Sequence, residues 1–178
     1  MSENGLEAGL VQVYTGDGKG KTTAALGLAL RACGHGLKVY MIQFMKGDIN
    51  YGEIIAAEHL PNLTIVQFGK PTFVDKENPA KEDIDFAQLA LEHAKVIVQE
   101  GQYDIVILDE LNVALDFKLV ELADVMKIID SKPDRVELII TGRNANEKIL
   151  EKADLVTKMD KVKHPYDKGI AARDGIEH

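Results

Sequence analysis

The sequence predicts an α/β protein in which a mostly parallel sheet of about six strands lies between two layers of helices. Short apolar runs alternate with longer amphipathic segments along the chain, the pattern of right-handed β-α-β crossovers. The run YDIVILDE at 103–110 is almost continuously apolar, as expected of a strand buried in the middle of a parallel sheet. A glycine-rich segment also joins the first apolar run to the first helical pattern. These three observations together favour a three-layer fold.

Each element follows from local composition. Strands are predicted over 9–15, 37–44, 63–68, 103–110, 135–141 and 155–159. Helices are predicted over 21–33, 51–60, 119–130 and 145–153, with a longer one that begins near residue 79. The first helix should end at the GHG segment of 34–36, and Pro61 should end the second.

The long helix has the clearest periodicity. Asn78 is expected to cap it, with Pro79 in its first position. Its apolar residues recur at spacings of three and four, which places them on one face: Ile84, Ala87, Leu91, Ala94 and Val98. His93 falls on the opposite face, so we expect this imidazole to be solvated.

Length and charge restrict the class of protein. The 178 residues suit a single domain, residues 1–178, with a short N-terminal extension over 1–8 and an irregular tail over 161–178. The net charge of -8 argues against nucleic-acid or membrane partners, because phosphate contacts need a basic face. The acidic N-terminus lacks a signal-peptide pattern, which predicts a cytoplasmic protein. The single cysteine, Cys33, is expected to be a buried core residue.

A phosphate-binding loop is predicted over 14–23, YTGDGKGKTT. The usual spelling, G-x-x-x-x-G-K-[ST], would place its first glycine at position 15, but Thr15 stands there and the glycine comes at Gly16. The segment still joins a strand to a helix, and its backbone N–H groups and the helix N-terminus favour anions. Lys21 adds a full charge, and the hydroxyl of Thr22 is a candidate Mg²⁺ ligand. The loop predicts a nucleotide-binding fold of the RecA-like type.

Two carboxylates end the central strand. Asp109 and Glu110 follow the apolar run IVIL, at the sheet edge where ligands bind in open α/β folds. Either one is a candidate Mg²⁺ ligand, directly or through water. No serine or cysteine in the sequence has an evident histidine partner. Chemistry that depends on positioning and charge neutralisation is therefore favoured over a nucleophile–base pair.

The exact spelling of these segments resembles that of the corrinoid adenosyltransferases of the CobA/CobO/BtuR type. The resembling segments include VYTGDGKGKTTAALGLALRACGHGLKV, QFMKG, DIVILDELNVAL, LIITGRNA, ADLVTKM and KHPYDKGIAARDGIEH, and span about 9–178. The shortened glycine spacing is the family's own version of the loop. The resemblance implies that ATP binds in reversed orientation and that its 5′-deoxyadenosyl group is transferred to Co(I) of a reduced corrinoid, with release of triphosphate. Because Co(I) is itself a strong nucleophile, no general base is needed.

The resemblance also implies roles for individual residues. The phosphate loop would bind the triphosphate through Gly16, Asp17, Gly18, Lys19, Gly20, Lys21, Thr22 and Thr23, with Mg²⁺ held by Thr22 and by Asp109 or Glu110. Lys21, Thr22 and Glu110 are the expected catalytic residues. Lys19 would neutralise the leaving group beside Lys21, unless it is only a solvated loop lysine.

The residues that would bind the corrinoid follow the family's pattern less closely than the phosphate loop does. The family is understood to make Co(I) accessible by displacing the lower axial ligand of cobalt with apolar and aromatic side chains. Family members often carry a threonine–tryptophan pair in the loop after the third strand, where this chain, which lacks tryptophan, has Thr72 and Phe73. Phe73 is therefore the candidate for the corrinoid face, and the alternative is a core or loop-anchoring phenylalanine.

Several further residues are expected at the ligand edge. Gln43, Lys46 and Glu53 follow the second strand, and Arg143 follows the fifth. Lys46 is a candidate phosphate ligand, Glu53 is a candidate for orienting the loop, and Arg143 is a further candidate ligand residue. The alternative for each is a purely structural role. Arg31 ends the first helix, where it would either reach the nucleotide or stay at the surface near the helix dipole.

Two other functions use the same phosphate loop. A small P-loop kinase and an ATP-dependent switch module would both release ADP, whereas adenosyl transfer releases triphosphate. The kinase would also need a residue that orients an acceptor hydroxyl, and the sequence offers no clear candidate. On the resemblance, the expected partners are ATP, cob(I)alamin or cobinamide, a reductase, and a second copy of the chain in a homodimer.

Overall fold

A computed structural model describes residues 5–177 of the chain. The strands are β1 (Val11–Thr15), β2 (Val39–Phe44), β3 (Leu63–Phe68), β4 (Ile105–Asp109), β5 (Glu137–Thr141) and β6 (Leu155–Lys158). The helices are α1 (Lys21–Gly34), α2 (Gly52–Ala57), α3 (Lys81–Glu100), α4 (Leu111–Asp116), α5 (Leu122–Asp130) and α6 (Glu147–Lys152). A single 3₁₀ turn, Pro165–Lys168, lies in the C-terminal tail.

The six strands form one sheet in the order β3-β2-β4-β5-β1-β6, and every neighbouring pair is parallel. This confirms the predicted sheet of six strands. Helices α1 and α2 pack on one face of the sheet, and α3, α4, α5 and α6 pack on the other. Because all strands run the same way, the carboxyl ends of β1, β2, β4 and β5 meet at one edge, where the phosphate loop also lies.

The central strands are buried on both faces, as their composition predicts. All residues of β2, β4 and β5 are buried, because a parallel sheet is covered by helices on both sides. Strand β6 lies at the sheet edge and is exposed along its whole length.

The start of α3 differs from the prediction. The helix begins at Lys81, and the N–H group of Ala80 donates to the carboxylate of Asp83 at 3.2 Å. Asn78 does not cap the helix. Its N–H group instead donates to the carboxylate of Asp75 at 3.4 Å, so that Asn78 belongs to the preceding loop.

Three other local expectations need correction. His93 is not solvated: its Nε2 lies 2.8 Å from the hydroxyl of Tyr40, and its ring packs 5.5 Å from that of Phe68. Cys33 is only partly buried against the core. The six-residue helix α4 was not predicted, because it starts directly after β4 without a glycine or a capping side chain.

Within residues 5–177, none of the helices combines the length and the apolar character that crossing a bilayer demands.

Two glycines should respond in opposite ways to the same substitution. A Cβ atom on Gly47 would overlap the carbonyl oxygen of Gly69, whereas one on Gly27, within α1, would meet nothing within 4 Å outside its own helix backbone. Gly47→Ala should therefore lower the free energy of unfolding by about 1–3 kcal/mol. Gly27→Ala should raise it by about 0.5–1 kcal/mol, because alanine restricts the unfolded chain. Urea denaturation measures both changes, and equal effects would contradict the packing of Gly47 on Gly69.

Candidate functional site

The phosphate loop between β1 and α1 requires glycine for two different reasons. Gly16 and Gly20 have φ angles of 93° and 118°, a left-handed region that disfavours other residues. Gly18 lies against the backbone of the segment after β6: its N–H group donates to the carbonyl of Met159 at 2.7 Å. A Cβ atom on Gly18 would lie 2.7 Å from the same oxygen. The loop is therefore held in shape by its neighbour as well as by its own conformation.

Lys21 lies inside this loop, 7% exposed. Its ammonium donates to the carbonyls of Gly16 and Gly18 at 2.8 and 2.7 Å. Burial lowers the pKa of Lys21, and the nearby carboxylate of Glu110 opposes that shift. A phosphate group in the loop would offer Lys21 charged oxygen partners in place of these carbonyls.

Asp109 lies at the centre of the site and is fully buried. One carboxylate oxygen accepts hydrogen bonds from the hydroxyls of Thr22 at 2.8 Å and Thr141 at 2.7 Å. The other accepts from the ammonium of Lys46 at 2.8 Å and from the amide of Gln43 at 3.3 Å. Asp109 thus joins the start of α1, the end of β2, the loop after it and the end of β5.

Glu110 has a different environment, although it follows Asp109 directly. Its φ of 64° is left-handed, and its N–H group donates to the hydroxyl of Thr141 at 3.0 Å. The side chain lines the open cleft. Burial and the adjacent Asp109 raise the pKa of Glu110, whereas Lys46, Lys21 and Arg143 act in the opposite direction. Of the two carboxylates, Glu110 is the one that lines the cleft.

A cleft of about 750 Å³ opens above these residues, a volume in the range of small-molecule sites. Its polar lining comes from the phosphate loop together with Lys46, Glu53, Glu110 and Arg143. Its apolar wall is formed by side chains from α1, from the α2 region and from the loop after β3: Leu26, Leu30, Ala56, Leu60, Leu63 and Phe73. The cleft therefore offers anion-binding groups and a nonpolar surface side by side.

Lys46 is held in place by an unusual backbone. The preceding residue, Met45, has a left-handed φ of 60°, and Gly47 packs directly on Gly69. Burial alone would lower the pKa of Lys46, but Asp109, Glu110 and Glu53 together outweigh burial and raise the pKa. Lys46 is therefore a fixed cation at the edge of the cleft.

Gln43 does not line the cleft, although it was expected at this edge. It is fully buried, and it accepts a hydrogen bond from Gln67 at 3.0 Å while donating to Glu53 at 3.0 Å. Gln43 thus orients the carboxylate of Glu53 through a hydrogen bond without lining the cleft itself.

Phe73 is the most exposed of the large apolar side chains described, at 105% of the reference area, and its ring lines the cleft. This excludes the alternative of a core or loop-anchoring phenylalanine.

The remaining predicted residues divide into two groups. Thr23, Lys19 and Arg143 line the cleft. Arg31 is exposed at the far end of α1, where its charge acts on Tyr14, and it is not among the cleft residues. Asp17 lies within the phosphate loop, where its side chain is exposed and acts on Lys21 through its charge.

Sequence reasoning missed Thr141, and for the C-terminal tail it left packing over the site and a dimer contact as open alternatives. Thr141 bridges Asp109 and Glu110, and its place at the end of a buried strand was the available signal. The C-terminal tail also reaches the cleft, through His164, Ala172, Gly175, Ile176 and Glu177. The carbonyl of Ile176 accepts a hydrogen bond from Lys19 at 2.9 Å. No periodic pattern in the tail indicated this position.

Among residues 5–177, no group of three or more histidine, cysteine, aspartate or glutamate side chains is arranged to hold a metal ion. The available donors are oxygens, namely the hydroxyl of Thr22 and the carboxylate of Glu110, with Asp109 behind them. Such a set fits Mg²⁺, which is usually bound by one or two carboxylates together with substrate phosphates.

Comparison with known proteins agrees with this architecture. A KaiC-like protein from the archaeon Pyrococcus horikoshii has a similar structure, with a TM-score of 0.58 and 17% identity over 90% of this chain and 77% of the other. At that identity the similarity supports the fold alone, and it confirms the predicted α/β class with a phosphate loop.

Proteins of similar sequence identify the family of the chain, which the structural similarity alone does not. The family model of the ATP:corrinoid adenosyltransferases BtuR/CobO/CobP matches residues 7–178. A corrinoid adenosyltransferase of Escherichia coli K12 is 37% identical over 97% of this chain and 87% of its own length. One from a Sinorhizobium species is 36% identical over 96% of this chain and 81% of its own. The fold, the cleft and these relatives together show that the chain belongs to the ATP:corrinoid adenosyltransferase family.

Proposed function

We propose that this protein transfers the 5′-deoxyadenosyl group of ATP to the cobalt of a reduced corrinoid. A bond forms between Co(I) and the ribose 5′-carbon while the bond from that carbon to the triphosphate oxygen breaks. The triphosphate leaves with the bonding electron pair. The observation that carries the proposal is the division of one cleft into a cationic phosphate loop and an apolar wall that ends in an exposed phenylalanine.

The loop of residues 16–23 would bind the triphosphate. Its N–H groups and Lys21 provide the anion site, and Lys19, at the mouth of the cleft, would exchange its bond to Ile176 for a phosphate oxygen. Arg143 and Lys46 add positive charge from the opposite side. Because charge accumulates on the leaving triphosphate as the bond breaks, cations fixed in this position stabilise the transition state more than the bound substrate.

Mg²⁺ would be held by Thr22 and Glu110, with Asp109 accepting the hydrogen bond from Thr22. The ion would neutralise phosphate charge and fix the triphosphate conformation. The raised pKa of Glu110 fits this role, since a partly buried carboxylate beside Asp109 would be stabilised in its charged form by a bound cation.

The corrinoid would lie against the apolar wall, with the Phe73 ring at its lower face. An exposed aromatic ring costs free energy in water and gains it on contact with a flat apolar ligand. A ring at the lower cobalt face would replace the axial ligand and make reduction to Co(I) easier. The apolar wall would also exclude water from the nucleophilic cobalt.

The cellular setting is proposed from the resemblance. We place the protein in the cytoplasm, as a homodimer that receives electrons for cobalt from a reductase.

The first prediction concerns the products. With Mg-ATP and chemically reduced cob(I)alamin in the absence of oxygen, the Co(I) absorption band should disappear as an equal amount of triphosphate forms. Lys21→Ala should reduce the rate at least about 100-fold, because it removes a charge from the leaving group. Lys95→Ala, an exposed lysine on α3, is the matched control. Formation of ADP, or a persistent Co(I) band, would indicate a kinase or a switch instead.

The second prediction concerns Glu110. Because its pKa is raised in the folded protein, the charged carboxylate destabilises the fold above pH 4.5, and this penalty is absent at lower pH, where the group is protonated in both states. Glu110→Gln should therefore raise the melting temperature of the ligand-free protein at pH 7 by roughly 2–4 °C, the shift that about 1 kcal/mol produces. The gain should vanish near pH 3.5.

Calorimetry at both pH values measures the effect, with the exposed Glu151→Gln as control. Adenosyl transfer should fall roughly 100-fold in Glu110→Gln. Full activity in this variant would remove Glu110 from the proposed metal site.

The third prediction concerns Phe73. Since the ring is fully exposed, Phe73→Ala should leave the free energy of unfolding within about 0.5 kcal/mol of the parent value. It should slow adenosylation that starts from cob(II)alamin, which carries a lower ligand to displace, more than adenosylation of cob(II)inamide, which lacks the nucleotide base. Initial rates with both corrinoids and one reductant give the comparison. Equal losses would indicate that the ring contributes contact but does not displace the ligand.

A further inference from the structure

The loop that carries Phe73, residues 69–80, is fixed on both sides of the exposed ring. Before the ring, the ammonium of Lys70 lies 2.8 Å from the carboxylate of Asp83, at the start of α3. After it, the ammonium of Lys76 lies 2.8 Å from the carboxylate of Asp116, the last residue of α4. Val74, next to Phe73, packs against the core. The loop therefore presents one free ring on an anchored support.

Asp116 also binds a second segment of the site. The same carboxylate oxygen that accepts from Lys76 accepts from the side-chain amide of Asn144 at 2.9 Å. Asn144 directly follows Arg143, a cleft residue, and has a left-handed φ of 56°. One carboxylate thus joins the loop of Phe73 to the segment of Arg143.

Helix α4 connects this junction to the acidic end of the site. The helix follows Glu110 and ends at Asp116. Its first turn packs against Gly142, where a Cβ atom would lie 3.0 Å from Cβ of Asn112. The segments that carry Glu110, Arg143 and Phe73 therefore all adjoin or contact the short helix α4.

An isolated exposed ion pair contributes little to stability. Asp116, however, accepts hydrogen bonds from more than one partner. Two donors from separate segments converge on one oxygen, and the Lys76 ammonium also lies 5.5 Å above the ring of Phe117. These hydrogen bonds hold the pKa of Asp116 below its ordinary value, so the carboxylate stays charged at neutral pH.

We propose that Asp116 is a positioning residue that, through Lys76 and Asn144, fixes the Phe73 loop relative to the Arg143 segment and so aligns the aromatic ring with the nucleotide. The kinetic part of this proposal rests on the proposed function. The structural part, the fixation of the loop, does not.

The structural part is tested with a tryptophan reporter. The chain has no tryptophan, so Phe73→Trp places a single fluorophore on the loop. In the ligand-free protein, adding Asp116→Ala or Lys76→Met should each lower the residual fluorescence anisotropy of that tryptophan and increase its quenching by acrylamide. Asn144→Gly, which preserves the left-handed backbone, should have a smaller effect in the same direction.

The control is Asp130→Asn, which removes another exposed ion pair, that with Lys152 at 2.7 Å. It should leave the fluorescence unchanged. Unchanged anisotropy in both the Asp116 and the Lys76 variants would overturn the proposal. Two separate variants keep the test valid if one of them folds poorly.

The kinetic part is tested with native Phe73. Asp116→Ala should lower kcat/KM for cob(I)alamin by about 3- to 30-fold, the range expected for an indirect coupling, while the dissociation constant for ATP changes by less than about 2-fold. In the Phe73→Ala background, Asp116→Ala should have no further effect, because the ring through which it acts is gone.

Additive losses would overturn the positioning role, since Asp116 would then act by another route. If Phe73→Ala itself leaves adenosylation unchanged, the assignment of Phe73 to the corrinoid fails, and the tryptophan anisotropy still decides whether Asp116 fixes the loop.

Discussion

The buried carboxylate of Asp109 is the constraint on which the site depends. A charge with no exposure to water is tolerated only where donors surround it. Here the donors are Thr22, Gln43, Lys46 and Thr141, which come from three separate segments of the chain. Satisfying one carboxylate fixes the start of α1 against the ends of β2 and β5. Losing any donor would cost roughly 1–3 kcal/mol, so the segments cannot move independently.

The same arrangement explains why Asp109 and Glu110 have different environments. Asp109 already accepts four hydrogen bonds, and these include the one from the Thr22 hydroxyl. Glu110 turns to the cleft through a left-handed backbone that Thr141 supports. The charged carboxylate of Glu110 destabilises the fold. A destabilising charged group at such a position is expected where the group binds a ligand. In the proposed function, Asp109 would therefore hold the segments of the site together, and Glu110 would bind the ligand.

Sequence reasoning identified the elements that have a strong period or composition and missed those that tertiary contacts create. The apolar runs predicted all six strands, and the glycine spacing located the phosphate loop. Helix α4 was missed because the backbone turn at Glu110 depends on Thr141 rather than on a local signal. His93 was placed in solvent because its partner, Tyr40, lies 53 positions away in the sequence. The tail was left without a role because its contact with Lys19 spans 157 positions.

The distribution of charge connects these features to the chemistry. The protein carries a net charge of -8, yet the cations Lys19, Lys21, Lys46 and Arg143 all line the same cleft. In the proposed function, these cations would attract a polyphosphate to the cleft although the net charge of the protein repels anions. The apolar wall of the same cleft offers a polyphosphate no partner and would instead favour a flat hydrophobic ligand. The proposed reaction would therefore bring two substrates of opposite character together in one cleft, where a strong nucleophile needs no base to displace the triphosphate.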